Sequence, residues 1–171
     1  MLKLLENIIN TKYNQFTNKS LCDLGCPPGR HDSYTCNKPE FQIKDFINIE
    51  RIYNLLRLSN SNLKICDGIS INIGNKSILF VEITAPYTPP QKTFDEVVTE
   101  FKEKIDGTKQ TINKLLNHNF NGLIEFCGVF KNKQPINKNM YSGMKYYSDF
   151  DMIIGSIPVS NIKKLAPLSC E

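Results

Sequence analysis

Leu63-Lys-Ile-Cys-Asp-Gly-Ile-Ser-Ile-Asn-Ile73, then Gly74-Asn75-Lys76, then Ser77-Ile-Leu-Phe-Val-Glu-Ile-Thr84, is the stretch whose reading decides the fold. In its first part Ile69, Ile71 and Ile73 alternate with polar neighbours, the period of two that a half-buried strand requires. Gly74-Asn75-Lys76 supplies turn chemistry, so the two runs are expected to pair as a hairpin. The second run is apolar almost throughout, like a central strand covered on both faces, and a single carboxylate, Glu82, interrupts it. Burying a carboxylate without a partner is costly, so Glu82 calls for a reason.

Toward the C-terminus, Ala85-Pro-Tyr-Thr-Pro-Pro90 breaks the strand, and Thr93 with Glu96 has the spacing of a capping box. From 93 to 117, Phe94, Val97, Val98, Phe101, Ile105, Thr108, Ile112, Leu115 and Leu116 fall on one stripe, with Glu96, Glu103 and Lys114 opposite. This pattern predicts a long helix that packs one face on a sheet. Residues 122 to 130 read as another buried strand, and a polar stretch with Pro135 leads to a last strand near Met152 to Ile157. A strand, a long helix and a second buried strand imply a right-handed crossover.

Toward the N-terminus, Leu2, Leu5, Ile8, Ile9, Tyr13 and Phe16 predict a helix over 1–17. Residues 21 to 39, with Cys26-Pro-Pro-Gly-Arg30, read as a loop. Phe46, Ile49, Tyr53 and Leu56 predict a second helix over 41–58, ended by Ser59-Asn-Ser-Asn62. The expected fold is α/β, a mixed central sheet flanked by helices, in a single domain over residues 1–171.

The chain has 171 residues, 40% hydrophobic, 10% aromatic and 22% charged, enough for one core and far from the composition of disordered chains. No apolar run approaches the roughly 20 residues of a membrane helix. Charge also interrupts the first residues before a signal-peptide core can form. The expectation is a soluble intracellular protein, cytoplasmic or nuclear, without a membrane partner. A net charge of +4 suits a phosphate-bearing partner without demanding one.

Six cysteines divide by position. Cys66 and Cys127 sit in apolar runs and read as buried small hydrophobes, Cys170 is near the end, and a reducing compartment argues against disulfides. Cys22, Cys26, His31 and Cys36 share the loop over 22–36 and offer three thiolates and an imidazole, a ligand set for structural zinc. An iron-sulfur cluster, or loop thiols with no metal, are the alternatives.

Asp67 and Glu82 lie about equally far from the turn, so the hairpin can bring them to one end of the ribbon. Two acids on adjacent strands can share magnesium or manganese, which activates water and offsets charge at a phosphodiester. The alternative is a carboxylate that bonds backbone or a lysine.

Across Phe41 to Phe130, helix, hairpin with Asp67 in Cys66-Asp67-Gly68, Glu82 in Val81-Glu82-Ile83-Thr84, long helix and further strand, the chain resembles the PD-(D/E)xK nuclease superfamily. The resemblance implies a restriction-endonuclease-like fold and a magnesium- or manganese-dependent nuclease acting on DNA or RNA. Asp67, Glu82 and the Ile83 carbonyl would hold the ion. Glu50 on the preceding helix would complete the shell, with Glu40 as runner-up. Thr84 stands where the family's lysine should be, and Cys66 where its loosely kept proline would be. Some members, including cap-snatching endonucleases of segmented RNA viruses, carry the lysine on the following helix, which points to Lys102 or Lys109. Gln110 corresponds to a glutamine of some relatives, but its helical angle turns it from the stripe. His31 is alternatively a ligand of the nuclease centre. The rival reading is an inactive nuclease fold that binds nucleic acid or protein, with a zinc-stabilised loop. A homodimer or a protein partner is open in either case.

Overall fold

The computed structural model describes residues 1–25, 44–56, 62–84, 94–130, 145–147, 152–154 and 156–158. Cys26, His31, Cys36, Glu40, Thr93, Pro135 and Cys170 lie outside the described residues.

The hairpin forms as its alternation requires. Strand β1 (Gly68–Asn72) pairs antiparallel with β2 (Ser77–Thr84), in a register that runs from Gly68 opposite Val81 to Asn72 opposite Ser77. In the turn between them Lys76 takes a positive φ of 54°. Helix α4 (Phe94–Leu116) then crosses over to β3 (Leu123–Phe130), which runs parallel to β2. Three short strands follow: β4 (Lys145–Tyr147), β5 (Met152–Ile154) and β6 (Ser156–Pro158). The main sheet has the order β1-β2-β3-β6 with β6 antiparallel to β3, and β4 and β5 form a separate antiparallel pair. The single last strand expected near Met152 to Ile157 is thus two strands in two sheets.

Upstream, helix α1 (Leu2–Lys12) is followed by a 3-10 turn at Asn14–Phe16 and by the short helix α2 (Leu21–Gly25). Ser20 and Asp23 cap α2 reciprocally: the Ser20 N–H donates to Asp23 Oδ2 at 2.8 Å and the Asp23 N–H to Ser20 Oγ at 3.1 Å. The second helix is shorter than expected. Helix α3 covers only Ile49–Leu55, started by the Asn48 side chain, which accepts the Arg51 N–H at 2.9 Å. Phe46 and Ile47 are extended instead, because Phe46 exchanges backbone bonds with Lys19 and Ile47 with Ile69. Those partners are distant in sequence, and they override a periodicity that reads as helix.

The period of two sorts the sheet into faces. Ile69 lies opposite Phe80, and on the other side of β2, Ile78 meets Ile124 and Phe80 meets Phe126. These side chains form one core with Leu5 and Ile9 of α1, Ile49 and Ile52 of α3, and Phe101, Ile105 and Ile112 of α4. The Phe101 and Phe126 rings pack with centroids 4.8 Å apart, tilted by 47°. Leu24 of α2 covers the opposite face, where a Cβ on Gly68 would fall 2.4 Å from its Cδ1. Helices therefore lie on both faces of a mixed sheet, and the α/β class follows. Among the described residues no helix is long and apolar enough to cross a membrane.

Candidate active site

The hairpin pairing ends at Gly68 opposite Val81, so Asp67 and Glu82 are the next residue on each side of the ribbon, near enough for the Asp67 charge to act on Glu82, whose side chain shares the face of Phe80. Asp67 stands where β1 begins, and its Oδ2 accepts the Ile83 N–H at 2.7 Å, replacing a ladder bond that β1 is too short to make. Within an extended strand the N–H and C=O of one residue leave on the same side, so the Ile83 carbonyl also faces the Asp67 edge. On the β3 side Glu82 is level with Gly128, which has no Cβ.

Glu82 is 3% exposed. Lys104 of α4 donates from Nζ to Glu82 Oε1 as an ion pair, while Glu82 Oε2 is buried and makes no hydrogen bond among the described residues. Burial, then the neighbouring charge of Asp67, push the Glu82 carboxyl up to about 8, against the pull of Lys104. Glu100, one turn before Lys104, adds negative charge to the same field. Burial works to lower the Lys104 ammonium, but the anions Glu82 and Asp67 outweigh it and hold its pKa above the ordinary value. Fully ionised, Asp67 and Glu82 against Lys104 leave the cluster net negative, which attracts a cation.

The expectations for the flanking residues fare differently. Lys102, Lys109 and Gln110 are exposed on α4, so the ammonium at Glu82 is neither Lys102 nor Lys109 but Lys104. The apolar stripe alone misplaces the buried flank, which Gly107 and Thr111 extend beyond Thr108. Small and hydroxyl residues on that flank were the signal for Lys104, because they mark where the helix comes close to backbone. A Cβ on Gly107 would lie 2.2 Å from the Lys64 carbonyl oxygen, and the Thr108 hydroxyl accepts the Cys66 N–H at 2.9 Å. Glu50 is also exposed, since the two-turn α3 buries Ile49 and Ile52 and leaves Glu50 in the solvated first turn.

Burial pushes the Cys66 thiol well up, so it stays a neutral small hydrophobe. Cys22 is held in a disulfide, against the expectation of free thiols, and a disulfide sulfur is not the thiolate that zinc binds. The other members of that set, Cys26, His31 and Cys36, lie outside the described residues.

Among the described residues no three His, Cys, Asp or Glu side chains converge as a metal-holding group. A divalent cation at this cluster would draw on two carboxylates, of which Glu82 offers a buried oxygen with no hydrogen bond among the described residues, and on a strand carbonyl. That hard-oxygen donor set suits magnesium or manganese, which keep several water ligands, better than zinc. Compared with known proteins, the chain matches no family model, no curated protein and no solved structure.

Proposed function

We propose that this protein is a restriction-endonuclease-like, divalent-metal-dependent nuclease that hydrolyses phosphodiester bonds in DNA or RNA. The observation that carries the reading is Glu82, buried beside Asp67, paired through one oxygen with Lys104 and, among the described residues, unpartnered at the other. Asp67, Glu82 and the Ile83 carbonyl would hold magnesium or manganese, which supplies a water of lowered pKa and charge neutralisation at the phosphate. Lys104 takes the part that Thr84 cannot: its ammonium, fixed by Glu82, orients the attacking water and offsets charge growing on the phosphoryl oxygens. Asp67, held by the Ile83 N–H, keeps its carboxylate aimed along the same edge. The exposed Lys102 and Lys109 remain available to backbone phosphates.

One observation favours an inactive binding module on the same fold: Lys104 already closes one oxygen of Glu82 and Ile83 one oxygen of Asp67, as in a purely structural ion pair. Cleavage of labelled single- and double-stranded DNA and RNA with manganese separates the readings. Wild type is expected to cut, and Asp67→Ala, Glu82→Ala and Lys104→Ala to lose about 100-fold or more while still folded. Folded wild type that cuts none of these substrates sinks the enzyme and leaves the module.

A further inference from the structure

We infer that Thr108 is a positioning residue that locks Lys104 in register with the carboxylates, an inference that rests on the proposed nuclease reading. Thr108 is completely buried, and its hydroxyl serves two elements at once. It accepts the backbone N–H of Cys66 at 2.9 Å and donates to the backbone carbonyl of Lys104 at 2.8 Å. Cys66 is the residue before Asp67, and Lys104 is the residue whose ammonium meets Glu82. A single side chain therefore ties the backbone that presents the aspartate to the backbone that presents the ammonium.

The surrounding contacts leave this tie little play. Gly107 lets α4 approach the chain at Lys64 so closely that no Cβ would fit between them. The Lys64 and Glu103 ion pair on the same seam, 2.6 Å long, is exposed at both ends and fixes geometry poorly. Valine would fill the volume of Thr108 equally well, so the hydroxyl itself is the feature that needs a role. If it served only to satisfy the Cys66 N–H, its removal would weaken the fold and leave the chemistry of folded molecules alone. A role in registering Lys104 predicts more, because displacements near 1 Å in a catalytic group cost large factors in rate.

The test compares full-length wild type, Thr108→Val and Thr108→Ser at a temperature where circular dichroism shows each folded. Manganese affinity is measured by calorimetry, and kcat and KM on whichever nucleic acid wild type cuts. Thr108→Val is expected to lose about 10- to 100-fold in kcat with KM nearly unchanged, and to bind manganese more weakly. Thr108→Ser, which keeps the hydroxyl, is expected to restore both. Thr108→Val with wild-type kcat and manganese affinity, whatever its melting temperature, overturns the inference, as does a folded Thr108→Ser as impaired as the valine variant. Should the valine variant not fold, Thr108→Ala takes its place under the same criteria. Wild type that neither binds manganese nor cuts removes the nuclease reading itself, and the inference with it, a result distinct from failure of the variants alone.

Discussion

A carboxylate enclosed by a sheet and a helix must either find a partner or take up a proton, and Glu82 does part of each. Its Oε1 has Lys104 while its Oε2 has no hydrogen bond among the described residues, and burial beside Asp67 raises its pKa from 4.5 to about 8. Folding then takes up a proton between those values. Below pH 4.5 both states are protonated and nothing is lost, whereas stability declines as pH rises toward about 8 and is flat beyond it. Glu82→Gln mimics the protonated form. In metal-free buffer its melting temperature, relative to wild type, is expected to climb between about pH 5 and pH 8.5, by an amount set by how far the pKa moves. Taking the difference cancels the titrating groups that do not sense Glu82, and Lys104, which does, has its pKa raised above its ordinary value of 10.5 and titrates above this range. A gap that stays constant across that range would show that Glu82 ionises in the fold as easily as in the unfolded chain.

At the scale of elements, the seam between α4 and residues 64–66 decides which lysine reaches the carboxylates. With about 100° per residue, Lys104 falls some 60° from Phe101 on the side of Thr108 and Thr111, while Lys102 and Lys109 fall about 80–100° to the other side. Apolar periodicity gives α4 its extent almost to the residue, Phe94–Leu116 against an expected 93–117. It does not give the helix its rotation, because Gly107 and Thr111, outside the stripe, are buried without being hydrophobic. The seam also reverses a familiar preference. Replacing a helical glycine by alanine ordinarily stabilises by about 1 kcal/mol. At Gly107 the added Cβ would meet the Lys64 carbonyl at 2.2 Å, so Gly107→Ala is expected to destabilise by roughly 1–3 kcal/mol in chemical denaturation. Gln110→Ala on the exposed face of the same helix should stay within about 0.5 kcal/mol of wild type. A Gly107→Ala variant as stable as wild type would mean that helix and strand are not in this contact.

For the whole molecule, what the sequence discloses follows the range of the interactions. The hairpin and the crossover are legible because alternation, turn chemistry and a long stripe are local. The extended Phe46 and Ile47, and the last strands divided between two sheets, depend on partners far along the chain. The candidate site shows the same division: the nearness of Asp67 to Glu82 follows from a turn, whereas Lys104 needs the docking of α4. Because the carboxylates lie at the start of β1 and the end of β2, an ion bound between them would hold together segments that unfolding separates, so its binding energy adds to global stability. Manganese at about 100 times its dissociation constant is expected to add about 2.7 kcal/mol. For a chain of this size that is a rise of roughly 5–10 °C in melting temperature. Asp67→Ala and Glu82→Ala should abolish the rise, and calcium at the same concentration, which takes six to eight oxygen ligands where the site offers few, should produce less of it. Lys104→Ala should keep it, since Lys104 donates no oxygen, and that variant separates the ion's holders from the residue that works beside it. Equal manganese shifts in wild type and Glu82→Ala would place the bound ion elsewhere on the protein and leave Glu82 with a structural ion pair alone.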